Sequence, residues 1–158
     1  MLEIQGVDIF KIASGATEAI CITTNGICKN NGDAVMGKGI AKTADEMFHL
    51  SKNLGYLIRT QGNRVYHMGK FSVSGCEPYN VFTFPSKHRW RGNSDIALIE
   101  RSAKELKVLC DIYGISKCYL PPVGCGCGGL LYDLDVRPVI SKLLDDRFIV
   151  ITDYGVRK

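Results

Sequence analysis

Two glycine-rich segments, each directly behind a short apolar run and ahead of a helical pattern, constrain this chain most. Ala19-Ile20-Cys21-Ile22-Thr23-Thr24 reads as a largely buried strand and runs into a Gly/Asn-rich stretch from Asn25 to Gly39. Cys118-Tyr119-Leu120 reads as a second strand, stopped by Pro121-Pro122, and Gly124-Cys125-Gly126-Cys127-Gly128-Gly129 follows. A loop between a parallel strand and a helix lies at the carboxyl edge of the sheet, where open α/β sheets bind ligands. Glycine lets backbone N–H groups approach an anion, and the next helix N-terminus favours negative charge. Two such loops at one edge point to a ligand with two phosphates, or with a phosphate and sugars. The plain alternative is that the glycines only make turns.

The remaining pattern supplies the other elements. Val7–Ile12 alternates well enough for a strand. A helix is expected from about Gly39, with Ile40, Ala44, Met47 and Phe48 on one face and Gly55 as its stop. Strands are expected near Tyr56–Thr60, Arg64–Phe71 and Val81–Phe84. The clearest helix is capped by Asn93 or Ser94, carries the stripe Ile96, Ile99, Ala103, Leu106, Cys110 and Tyr113, and ends at Gly114. Asp135 is expected to cap a third helix with Val136, Val139, Ile140, Leu143 and Leu144 facing inward, and Pro138 is tolerable in its first turn. Phe148–Ile151 reads as a strand covered on both faces. Strands alternating with helices predict an α/β fold: a mostly parallel sheet with helices on both sides.

At 158 residues, with no repeat or composition break, the expectation is a single domain over residues 1–158. No apolar run is long enough for a transmembrane span, and the N-terminus lacks the pattern of a secretory leader, so neither membrane nor export is expected. Seven cysteines, an odd number in a chain without that leader, suggest reduced thiols and a cytoplasmic location. The net charge of +4 permits an anionic ligand without demanding one.

Two familiar readings fail, one on a single residue and one on spacing. Gly32-Asp33-Ala34-Val35-Met36-Gly37-Lys38-Gly39 nearly matches a P-loop, but Gly39 stands where a hydroxyl would ligate magnesium. Cys118, Cys125 and Cys127 do not form paired C-x2-C ligands, so no metal is expected and buried thiols explain them better. No cofactor is expected either.

Thr23-Thr24-Asn25-Gly26 together with Val35-Met36-Gly37-Lys38-Gly39-Ile40-Ala41 resembles the first ADP-ribose-binding loop of macrodomains. Leu120-Pro121-Pro122-Val123-Gly124-Cys125-Gly126-Cys127-Gly128-Gly129-Leu130 resembles their second, diphosphate-clasping loop. Between them, Phe84-Pro85-Ser86-Lys87-His88-Arg89-Trp90-Arg91 is similar to a segment of the branch holding DNA ADP-ribosyl glycohydrolase antitoxins and glutamyl-ADP-ribose hydrolases. The three matches occur in the right order and span nearly the whole chain.

The resemblance implies a three-layer α/β/α fold around a mixed, mostly parallel sheet, with an ADP-ribose cleft at its carboxyl edge. It implies that Asp8, with Ile9 beside it, reads the adenine, and that Asn25 faces the distal ribose. Met36, Gly37, Lys38, Gly39 and Ile40 would bind from the first loop, and Pro122, Gly124, Cys125, Gly126, Cys127, Gly128, Gly129 and Leu130 from the second. Lys87 matches the lysine on which hydrolysis in that branch depends. The glutamyl-directed enzymes pair that lysine with an acid in the second loop; here the loop reads Cys127-Gly128-Gly129, which favours the DNA-directed group.

The residues make a partly independent case. Lys87 follows an apolar strand and a proline, at a strand exit. Its amine can attack an anomeric carbon or form a Schiff base with the ring-opened sugar; kept charged, it can hold a phosphate or stabilise a leaving group. His88, Arg89, Trp90 and Arg91 form a basic and aromatic cluster in which Trp90 can stack on a base while arginines meet phosphates, a possible nucleic-acid contact. His88 is also a candidate acid or base. The expected activity is an ADP-ribosyl hydrolase acting as a monomer on ADP-ribosylated DNA or protein. The alternatives are a non-catalytic ADP-ribose reader and an ADP-ribose-1''-phosphate phosphatase.

Overall fold

The computed structural model describes residues 1–154, so the last four residues of the expected domain lie outside the described residues. Six strands form one mixed sheet: β1 (Leu2–Ile4), β2 (Glu18–Thr24), β3 (His67–Phe71), β4 (Tyr79–Pro85), β5 (Lys117–Leu120) and β6 (Phe148–Ile151). Their order is β1-β6-β5-β2-β4-β3, and only β3, beside β4, is antiparallel.

Side chains alternate across this sheet with the two-residue period of a strand, and both faces are apolar. Ile20, Ile22, Tyr79, Val81, Tyr119, Ile149 and Ile151 join the core under α1 (Ile9–Ile12), α2 (Gly39–Phe48) and α3 (Ser51–Gln61). Ala19, Cys21, Phe82, Phe84, Cys118, Leu120, Phe148 and Val150 join the opposite core, under α4 (Ile96–Ile112) and α5 (Arg137–Ile140). That gives the expected three layers.

Several expected elements are corrected. Val7–Ile12 is not a strand. Asp8 Oδ1 accepts from Phe10 N at 2.9 Å and caps α1, so a capping bond overrides a weak alternation. The first strand lies earlier, at Leu2–Ile4, short and mostly exposed at the sheet edge, which leaves no apolar run to detect. Gly55 does not stop a helix. The chain breaks at His49, in the left-handed region at φ 55°, where Asp45 Oδ1 accepts from Ser51 N at 2.9 Å and starts α3. Tyr56–Thr60 is therefore helix and not strand. Met47 points to solvent instead of the core.

The cap of α4 is Asp95, whose Oδ1 accepts from Ala97 N at 2.9 Å, rather than Asn93 or Ser94. Ile96 and Tyr113, at the ends of its stripe, are exposed. Asp135 caps no helix. It lies in a π-turn over Tyr132–Val136 and its Oδ2 accepts from Leu131 N at 2.8 Å. Among the described residues no helix is long and apolar enough to cross a membrane.

Candidate active site

The order β5-β2-β4 makes three carboxyl-end loops neighbours: the loop after Leu120, the loop after Thr24 and the loop after Pro85. All three expected motifs therefore meet at one edge, with the first loop in the middle.

The first loop braces itself. Asn25 Nδ2 donates to Val35 O at 3.1 Å, and Asn25 Oδ1 accepts from Ile27 N at 3.0 Å. Each end of the amide thus has a partner within the loop, with one N–H left for a ligand. Further out, Cys28 and Ala34 form an antiparallel bridge, and Asn31 Oδ1 accepts from Asp33 N at 3.0 Å. Helix α3 presses directly on this turn at Gly55, where an added Cβ would lie 2.0 Å from Gly32 O. Met36 and Ile40 are buried in the core, so only their backbone can face a ligand. Gly37, Lys38 and Gly39 are exposed, and Lys38, at the cap position, gives α2 no side-chain cap. The N–H groups of that first turn lack helical partners and suit an anion.

The second loop is held from outside. Gly124 is in the left-handed region at φ 78°, and a Cβ there would lie 2.6 Å from Ile99 Cδ1. Beside Gly128 a Cβ would meet Ser94 Oγ at 2.1 Å. Ser94 N donates to Gly128 O at 2.9 Å, and Lys87 Nζ donates to Cys127 O at 2.9 Å. Cys125 is half-buried, and burial pushes its thiol up to about 11, which keeps it protonated. Pro122 and Leu130 are also half-buried, while Gly126, Cys127 and Gly129 are exposed. Cys118 is buried within the sheet, and among the described residues no three His, Cys, Asp or Glu side chains gather to hold a metal.

Lys87 leaves β4 beside both loops. Asn63 Nδ2 donates to Lys87 O at 3.0 Å, and Gly26 N donates to His88 O at 3.1 Å, which ties this segment to the first loop. His88 Nε2 lies 2.8 Å from Asp95 Oδ2. That hydrogen bond holds the Asp95 carboxyl below the usual carboxylate range. The Arg91 guanidinium lies 4.4 Å from the Trp90 ring centroid.

At the far end, Asp8 follows the edge strand and Ile9 is fully buried. Tyr154, beyond β6, packs against the core there. Burial first, and the Asp8 charge second, push its phenol up. Sequence reading missed Asn63, Ser94, Tyr154 and the pairing of Asp95 with His88. Each reaches the site through tertiary contacts that leave no local pattern.

No protein-family model matches the chain. It is similar to the DNA ADP-ribosyl glycohydrolase of Thermus aquaticus, 28% identical over 132 residues, covering 81% of this chain and 34% of that protein. The Mycobacterium tuberculosis protein of the same name is 29% identical over 118 residues, covering 72% of this chain and 31% of that one. The chain thus spans about a third of the length of the curated relatives it matches. Among solved structures, Thermosipho africanus DarTG in complex with ADP-ribose gives a TM-score of 0.71 at 21% identity, covering 91% of this chain and 39% of that one. The macrodomain of Mycobacterium tuberculosis DarG gives 0.68 at 24% identity, covering 95% of this chain and 97% of that one.

Proposed function

The chain has the macrodomain fold, and on that premise we propose that it is an ADP-ribosyl hydrolase, removing ADP-ribose from a modified nucleobase or protein side chain in a Lys87-dependent step. In this reading the whole chain is one macrodomain. Asp8, with Tyr154 nearby, holds the adenine end. The diphosphate lies between the open N-terminus of α2 at Gly37–Gly39 and the glycines from Gly124 to Gly129. Asn25 orients the distal ribose, whose anomeric carbon faces Lys87.

The observation that carries this reading is the position of Lys87: it leaves β4 beside His88, whose carbonyl accepts from Gly26 N at 3.1 Å, and its Nζ reaches Cys127 O of the second loop at 2.9 Å. Lys87 thus lies on a segment tied to the first loop while its amine contacts the second, and from there the amine can act on the reacting carbon or on the departing group. DNA is the favoured carrier, since the similar proteins are named for DNA. We read the chain as a cytoplasmic monomer. Its seven free thiols suit a reducing compartment.

A second reading, an ADP-ribose reader without turnover, is favoured by one observation. Among the described residues no carboxylate pairs with Lys87, whose hydrogen bond goes to a backbone carbonyl. A panel of DNA-, Glu-, Asp- and Ser-linked ADP-ribose substrates separates the two. The hydrolase releases free ADP-ribose from at least one of them, and Lys87→Ala does not. Tight binding with no product on long incubation selects the reader.

A further inference from the structure

Beyond the ADP-ribose cleft, one exposed side chain is held only loosely, by the Arg91 guanidinium 4.4 Å from its ring centroid. Trp90, the only tryptophan of the chain, is 42% exposed at the tip of the loop after β4. The loop is closed at its base, where Asp95 N donates to Ser86 O at 3.0 Å and His88 bonds Asp95 at 2.8 Å. Gly92 N, donating to Arg89 O at 3.3 Å, turns the tip. Trp90, Arg89 and Arg91 line a cavity of about 380 Å³ with Ile27. Ile27 N is bonded to Asn25 Oδ1 at 3.0 Å, and Gly26 N to His88 O at 3.1 Å. The cavity therefore begins two residues from Asn25, on the side of the loop that carries Lys87.

We propose that this cavity is a subsite for single-stranded nucleic acid. It takes an unmodified base against the Trp90 ring and Ile27, with neighbouring phosphates on Arg89 and Arg91. An indole offers a flat apolar face that stacks on any base, and two flanking guanidiniums meet a backbone that is charged at every step. The cavity is of the size that takes one small planar group. A duplex keeps its bases stacked on each other and leaves none for the ring. Strand binding itself needs no ADP-ribose. The placement of this base next to the modified one rests on the hydrolase reading, in which the macromolecule leaves the cleft past Asn25 and Lys87.

Because the chain has one tryptophan beside seven tyrosines, fluorescence excited selectively at the indole comes from Trp90. Wild-type protein is titrated with an unmodified ten-nucleotide single strand, with a blunt duplex of the same length, and with an acidic peptide of equal charge. ADP-ribose binding is measured in parallel by calorimetry. The single strand is expected to give saturable quenching that weakens as salt rises, while duplex and peptide give little. With a fluorescein-labelled strand, Trp90→Ala is expected to bind about tenfold more weakly and Trp90→Phe nearly as well as wild type. Neither variant is expected to alter ADP-ribose affinity. No quenching, equal binding of duplex or peptide, or an unchanged Trp90→Ala affinity overturns the subsite. Strand binding without any ADP-ribose binding overturns the hydrolase reading and leaves the subsite standing; the reverse result does the opposite.

Discussion

The two glycine loops look alike in sequence and are built differently. The first makes its own scaffold: Asn25 bonds Val35 O and Ile27 N, Asn31 bonds Asp33, and Gly55 of α3 lies against its backbone. Among the described residues, the second has within itself only the side-chain hydrogen bond from Cys125 Sγ to Val123 O at 3.6 Å. Its carbonyls at Cys127 and Gly128 are held by Lys87 and Ser94, both from the segment after β4. Lys87 therefore positions the second loop through Cys127 O, and in the proposed reading it also takes part in the chemistry, whereas the first loop can be damaged without removing that hydrogen bond.

The largest expected effect separates those roles. Lys87→Ala should lower turnover by about two to four orders of magnitude, measured as ADP-ribose released per minute. Lys87→Arg keeps a donor for Cys127 O but cannot be deprotonated. If it restores ADP-ribose affinity without turnover, the free amine is the reacting group; if it restores both, positive charge alone suffices.

Next come the glycines, by denaturant unfolding. Gly55→Ala puts a methyl 2.0 Å from a backbone carbonyl that cannot step aside, and should cost about 2–3 kcal/mol. Gly128→Ala meets Ser94 Oγ at 2.1 Å, a rotatable hydroxyl with no hydrogen bond to lose, and Ser94 Cβ only at 3.1 Å, and should cost about 1 kcal/mol. Equal costs would erase the contrast between a rigid loop and a loop held at its rim. Asn25→Ala removes two bonds at a half-buried position and should cost about 1–2 kcal/mol.

The smallest effect concerns the rim. Asp95 is held below its ordinary range by its bond to His88, so the stabilisation is present above the usual carboxylate range and is lost as acid protonates the folded carboxyl. The gap in melting temperature between wild type and His88→Ala should be open at about pH 5 and shrink as the pH falls below the usual carboxylate range. An exposed pair contributes little, so the gap is small. A gap that widens in acid contradicts the pairing.

The layered fold and its site edge were legible because β2, β4, β5 and β6 carry apolar residues on both faces, and β2, β4 and β5 end at glycine or proline. What stayed hidden had no local signature. Strand β1 is three residues held by backbone pairing at an edge. The break between α2 and α3 falls at a left-handed histidine where glycine would have announced it. At the site, Lys87, Asn25 and both glycine loops were readable as motifs. Asn63 and Ser94 serve the site only because folding brings distant segments to the Lys87 backbone and to Gly128.

The central claim is that the two loops together clasp a diphosphate between an adenine end and a ribose end. Calorimetry with ADP-ribose and with adenosine, which lacks the diphosphate, tests it most directly. The account predicts one ADP-ribose per chain, bound far more tightly than adenosine. Equal affinity for the two, or no binding of ADP-ribose at millimolar concentration, about the weak limit of a specific site, would contradict it.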